Sequence, residues 1–166
     1  MHTIRGRGGT LAPDLSYEGS RVRSEWLSGF LKNPNTIRLY LPERMPQFQL
    51  SAEEAATILN YMKTVLVHDG IPEKVFAPGE MTAQLAARGR QLYYEKYACQ
   101  GCHQIGLSGG ALGPELTQVA QRLTEGWLLA WLKGSQKLAP GVKEPQYNLS
   151  EEEARAIAAY LLSLPA

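Results

Sequence analysis

The sequence predicts an all-α chain made of two tandem copies of one helical unit. The first observation behind this is an internal repeat. Residues 2–33 recur at residues 103–134 with a constant offset of 101, so that Leu11-Ala12-Pro13-Asp14-Leu15 faces Leu112-Gly113-Pro114-Glu115-Leu116. After a two-residue slip the offset is 99, and Met45-Pro46-Gln47 faces Glu144-Pro145-Gln146. Two copies of this length mean tandem domains, whereas a solenoid would need more. The second observation is a helix start in each copy: Ser51 with Glu54, and Ser150 with Glu153, have the spacing of a capping box. The third is the Ala-rich, Pro-free stretch at residues 81–98, with Leu85, Leu92 and Tyr93 on one helical face.

Each copy opens on a Gly/Pro-rich loop, followed by a helix around its first Trp, at residues 21–32 and 121–133. An irregular Pro-containing stretch comes next and holds Met45 in one copy and Glu144 in the other. The closing helix starts at Ser51 or Ser150, where extra carboxylates favour the positive end of the helix dipole. Ile58 and Tyr61, and in the second copy Ile157, Tyr160 and Leu161, recur at core spacing. Only the second copy has a helix ahead of its loop, at residues 81–98. Gly70, Pro72, Pro78 and Gly79 mark a linker. The expected organisation is therefore a first domain over residues 1–66, a linker over 67–79, and a second domain over 80–166.

The chemistry concentrates in Cys99-Gln100-Gly101-Cys102-His103. The spacing C-x-x-C-H is the attachment signature of a c-type haem. Two thiols three positions apart can add to the two vinyl groups of one porphyrin, and the histidine after them meets the iron as proximal ligand. A structural zinc site would need a second ligand pair, and the other histidines, His2 and His68, stand alone. A redox dithiol belongs at a strand-to-helix turn, and no βαβ pattern is present. One covalent haem c in the second domain is the expected cofactor.

With these residues in view, residues 80–166 resemble a class I cytochrome c domain. The resemblance rests on Gly89-Arg90-Gln91-Leu92-Tyr93, the C-x-x-C-H motif, the Gly113-Pro114-x-Leu116 loop, and a closing helix ending in Ala-Tyr-Leu. It covers the second copy fully and the first in part, so the whole resembles a dihaem cytochrome c whose first domain is degenerate or truncated. It implies a crossing of the two terminal helices at Gly89, with Tyr160 on Tyr93. It also implies a Pro114 carbonyl accepting the Nδ1 proton of His103, and Trp127 or Trp131 near a haem propionate. Two departures stand out. Such domains place a methionine before the Pro ahead of the last helix; Met45-Pro46 has that form, but the second copy has Glu144. Conversely His2 aligns with His103, yet Met1 falls where Cys102 stands, so the first copy lacks its N-terminal helix and haem motif. The sixth iron ligand is left open, with Met45 and His68 as candidates, Lys143, Met81 and Tyr147 as weaker ones, and Glu144 a hard donor poorly matched to ferrous iron.

Function is expected to follow the haem: single-electron transfer between redox proteins, as a carrier or as a subunit of a larger respiratory or oxidoreductase complex. The alternative is a haem enzyme or ligand sensor using an open or weakly ligated sixth position. No Ser-His-Asp ordering, phosphate loop or paired-carboxylate cleft suggests other catalysis. Seventeen basic and sixteen acidic residues nearly cancel, which excludes a nucleic-acid footprint. No run of 18 apolar residues predicts a membrane span. Haem attachment to C-x-x-C-H takes place outside the cytoplasm, so a periplasmic or other extracytoplasmic location is expected, although no secretory signal stands at the start. Arg5, Arg7, Arg21 and Arg23 would meet haem propionates or an acidic partner, or simply water. Finally, Ile58, Tyr61 and Met62 lack the N-terminal helix they would pack on. The second domain, another subunit or residues upstream of Met1 should cover them.

Overall fold

Ser51 and Ser150 begin helices of identical construction in the computed structural model, which describes residues 2–38 and 45–165. The Ser51 side chain accepts from Glu54 N–H at 3.2 Å while Ser51 N–H donates to the Glu54 carboxylate at 2.8 Å. Ser150 and Glu153 repeat this at 3.2 and 3.1 Å. The elements in order are β1 (Thr3–Ile4), β2 (Arg7–Gly8), α1 (Glu18–Arg21), α2 (Ser24–Lys32), α3 (Ala52–Val65), α4 (Ala83–Gln91), α5 (Val119–Arg122), α6 (Glu125–Leu138) and α7 (Glu151–Leu162). Between α4 and α5 lie a π-helical turn, Leu92–Lys96, and a 3₁₀ turn, Cys99–Gly101. Among the described residues the regular elements are helices apart from one small antiparallel hairpin, β1 with β2, closed through Arg5 and Gly6, both at positive φ.

The expected helix at 21–32 is interrupted, and so is the one at 121–133. Val22 and Leu123 are extended, and they pair with each other as an antiparallel bridge. Arg23 N–H donates to Arg122 O at 2.9 Å, and Thr124 N–H to Arg21 O at 3.0 Å. These residues are equivalent in the repeat, so the two copies meet across an approximate two-fold axis at Val22 and Leu123. An extended residue offers its N–H and C=O sideways, which a helical one cannot, and this contact sets the break. Gly134 is extended inside α6, so the regular helix ends where the sequence places its end.

The repeat extends to individual hydrogen bonds. Leu15 N–H to Thr3 O at 2.8 Å matches Leu116 N–H to Gln104 O at 2.9 Å. Arg5 N–H to Ser16 Oγ at 2.7 Å matches Gly106 N–H to Thr117 Oγ1 at 2.6 Å. The alignment of Met1 on Cys102 lies outside the described residues.

Burial separates the copies. α7 buries Ala154, Ala156, Ile157, Ala158, Ala159, Tyr160 and Leu161, because α4, α5 and α6 all pack on it. Gly89 makes the α4–α7 crossing possible: a Cβ there would stand 1.8 Å from the Ala156 carbonyl oxygen. The Tyr93 and Tyr160 rings then meet at 5.6 Å. α3 packs on α1 and α2, and among its residues only Ala55 is fully buried. Ile58 and Met62 are half-buried against the common core, but Tyr61 is 49% exposed where its equivalent Tyr160 is 7% exposed. Of the three covers expected for this face, the second copy does not enclose Tyr61. The two copies meet through α1, α5 and α6 instead, which leaves that side of α3 facing outward.

The stretch 67–79 is irregular and pinned down. The buried Glu125 carboxylate accepts from Val75 and Phe76 N–H at 3.1 and 3.2 Å. Arg155 donates to Val75 O, pairs with Glu80 and lies over the Phe76 ring.

Candidate functional site

The helix that leads into the motif does not run straight. Its π-helical turn adds one residue per turn at Leu92–Lys96, so consecutive Leu92 and Tyr93 are both buried. Ala98 then takes left-handed φ and ψ of 50° and 38° and reverses the chain into the Cys99–Gly101 turn. That conformation is uncommon for a residue with a Cβ, and a strained residue here fixes where the cysteines stand. His103 N–H donates to Cys99 O at 3.0 Å, and Gly113 N–H to Cys102 O at 2.7 Å, which folds the following loop back onto the motif.

This fold-back orients the imidazole. His103 Nδ1 bonds the Pro114 carbonyl at 2.8 Å, so Nδ1 carries the proton and Nε2 is the nitrogen suited to meet a metal. Gly113 lies against the ring, where a Cβ would come within 2.4 Å of Cε1. On the other side of Nε2, at 3.4 Å, is the Glu144 carboxylate. Burial works to lower the His103 pKa, but the hydrogen bonds to Glu144 and Pro114, with the Glu144 charge, outweigh it and the net shift is upward.

Both thiols are free, and burial with the nearby Glu144 charge pushes Cys99 up to about 11. Redox-active dithiols need the opposite shift, so the disulfide-exchange reading finds no support here. Among the described residues no cluster of three or more His, Cys, Asp or Glu could hold a metal ion.

A cavity of about 680 Å³ opens beside His103. Cys99, His103, Pro114, Trp127, Trp131 and Glu144 line it, and the two Trp rings stack at 6.4 Å. Most of the sequence-predicted site is thus gathered in one place. Cys102 lies just across the 3₁₀ turn and does not line the cavity. Neither do Met45, half-buried against the core, nor His68, which sits against the Tyr17 ring at 5.0 Å with Nδ1 accepting from Gly70 N–H. Lys143, Met81 and Tyr147 are exposed and also stand outside the lining.

The residues fit a haem on their own chemistry. Much of the wall is apolar and aromatic, the histidine donor is fixed, and two of the polar atoms in the lining residues are buried without partners: Tyr93 Oη and Arg122 Nε. Residues 86–165 match the family model for cytochrome c. This part of the chain is similar to a cytochrome c domain. Over 94 residues the chain is 39% identical to the protein named Cytochrome c oxidase subunit 2 of Alkalihalophilus pseudofirmus, a stretch covering 51% of this chain and 27% of that protein. The chain therefore spans about a quarter of that relative's length. No solved structure matches it.

Sequence reasoning did not place two features of this site. One is that Glu144 faces His103; its alignment with Met45 marked the position but not the distance. The other is that the cavity is partly walled by the first copy, through Arg5, Tyr17, Glu18 and Arg21. The match of Arg21 with Arg122 in the repeat was the available signal for the second.

His2 repeats the geometry of His103. Its Nδ1 bonds the Pro13 carbonyl at 2.8 Å, the same distance as His103 to Pro114.

Proposed function

We propose that this chain is an electron-transfer protein carrying one haem c in its second domain, attached at Cys99 and Cys102 with His103 as proximal ligand. The observation that carries this reading is the His103 imidazole, held through Nδ1 by Pro114 with Nε2 facing a large apolar cavity beside Cys99. When bound, the haem supplies a one-electron iron couple in a dry site. The chain's own residues set its behaviour. The Pro114 carbonyl makes His103 a stronger donor by drawing on its other ring proton. The Trp127 and Trp131 rings and the leucines around them exclude water. Glu144 puts a carboxylate, a hard anionic group, where a methionine sulfur would otherwise stand, which favours the ferric state.

In this reading residues 1–66 form a degenerate or truncated copy of the same domain, 67–79 the linker, and 80–166 the haem domain. The paired hydrogen bonds of the two copies and the bridge between Val22 and Leu123 support it. The partners are redox proteins, and a terminal oxidase is the complex suggested by the partial likeness to an oxidase subunit. Cytochrome c domains typically work outside the cytoplasm, and this one is placed there. No described helix is long and apolar enough to cross a membrane.

The test is a pyridine haemochrome assay on chain matured with a haem-attachment system, followed by spectra with and without CO. One covalent haem per chain, lost in Cys99→Ala with Cys102→Ala, supports the assignment; no covalent haem sinks it. One observation favours a second reading, a ligand-binding or catalytic haem: among the described residues no methionine lines the cavity, and Glu144 faces His103. A spectrum unmoved by CO supports the carrier, whereas a high-spin band that shifts with CO or cyanide supports the open site.

A further inference from the structure

The bridge between Val22 and Leu123 also positions two arginines. Arg21 precedes Val22 and Arg122 precedes Leu123, and the carbonyls of both are tied into the bridge at 3.0 and 2.9 Å. Both side chains line the cavity that holds His103, with Arg38 beside them. Arg122 is buried, and its Nε has no hydrogen-bond partner. Burial, with the like charges of Arg21 and Arg38, pushes its pKa down to about 9. Arg21 pairs with Glu18 at 3.3 Å, so one carboxylate already sits in this cluster without relieving the Arg122 Nε.

A buried guanidinium with an orphan N–H is costly unless an anion meets it. Another part of the cavity is apolar and aromatic, bounded by Leu116, Val119, Leu128 and the two Trp rings, with Glu144 facing His103. A ligand that satisfies both parts has a large flat apolar body and carboxylates at one edge. Guanidinium is the side chain suited to planar, two-point recognition of carboxylates.

We infer that the first copy completes the haem site of the second: Arg21 and Arg122, joined across the Val22–Leu123 bridge, form an anion clamp for the two haem propionates. This rests on the haem reading above. It gives the first copy a role, because without it the clamp has one arginine and an open edge. The clamp also links the haem potential to the docking of the two copies. Each cation near the propionates favours the added electron, so removing one lowers the potential.

The experiment uses the full, haem-loaded chain as wild type, Arg21→Gln, Arg21→Lys and Arg122→Gln. The haemochrome assay comes first; absence of haem in wild type would defeat the underlying reading and not the clamp. Potentiometric titration then reads the clamp. Arg21→Gln should shift the reduction equilibrium about tenfold toward oxidised haem, about 59 mV for one electron. Arg21→Lys should restore most of that shift, and the resonance Raman propionate bending bands should move in Arg21→Gln. If Arg122→Gln does not fold, Arg21→Gln still decides, since Arg21 is only half-buried. An unchanged potential and unchanged propionate bands in Arg21→Gln overturn the inference, even if Arg122→Gln shifts both. A wild-type potential that responds to added inorganic phosphate, with the response lost in Arg21→Gln, also overturns it, because the arginines would then hold a free anion.

Discussion

Replacing Gly89 by Ala tests the crossing of α4 with α7. The added Cβ would lie 1.8 Å from the Ala156 oxygen, 2.4 Å from its carbon and 2.9 Å from Tyr160 Cβ. The obstacle is backbone, so no rotamer change relieves it, and α4 and α7 must part by roughly 1.5 Å to reach ordinary contact. A gap of 0.5–1 Å already forfeits about a quarter to a half of the local dispersion energy. The neighbours that lose contact are Leu92, Tyr93 and Ile157, each 1% exposed. Overpacking of this kind costs about 1–3 kcal/mol, and a backbone clash belongs at the upper end. The Gly-to-Ala change returns about 1 kcal/mol of helix propensity, leaving a net loss of about 2 kcal/mol. Urea unfolding followed by circular dichroism should show it as a midpoint lower by roughly 1 M. Gly29→Ala is the control: nothing lies within 4 Å of a Cβ there, so the same propensity gain should appear as stabilisation of about 0.5–1 kcal/mol. If Gly89→Ala unfolds within 0.5 M of wild type, or moves the same way as Gly29→Ala, the reasoning is refuted.

Three further outcomes are expected. Ala98→Gly relieves a left-handed residue and should stabilise the chain by about 0.5–1 kcal/mol in the same assay, with a loss of stability counting against strain at this turn. Glu144→Met in the haem-loaded chain should raise the midpoint potential and give a His/Met spectrum; an unchanged spectrum would mean another residue already holds the sixth position. Lys96, the Ser150 N–H and the Tyr97 hydroxyl hold Glu153 down to about 2 from an ordinary 4.5. A depressed carboxylate stabilises above its unfolded pKa, so this contribution is whole above about pH 5 and drains away between about pH 4.5 and 2. Glu153→Gln should flatten that part of the acid-unfolding curve, and an identical acid limb would show that the network does not contribute.

Much of this protein was legible in the residues alone because the signals were local. A C-x-x-C-H turn, two capping boxes and a Gly-Pro loop each depend on neighbours in sequence, and the repeat at an offset of 101 shows when the chain is compared with itself. The structure shows both capping boxes, Pro114 against His103 and Gly89 at a helix crossing. Helix edges were less legible: the breaks at Val22 and Leu123 exist because those residues pair with each other about a hundred positions apart, and no local preference encodes such a pairing. The same holds for the site. Glu144 faces His103 across 3.4 Å only because the loop before α7 folds over the cavity, and Tyr61 stays exposed only because the copies dock through other helices. Arg21 and Arg122 were visible as a matched pair, yet their meeting in one cavity is a property of the interface. Sequence determined which groups this protein owns and which turn holds its histidine. Tertiary packing decided which charges share a low-dielectric space, because burial and distance arise only where distant segments close on one another.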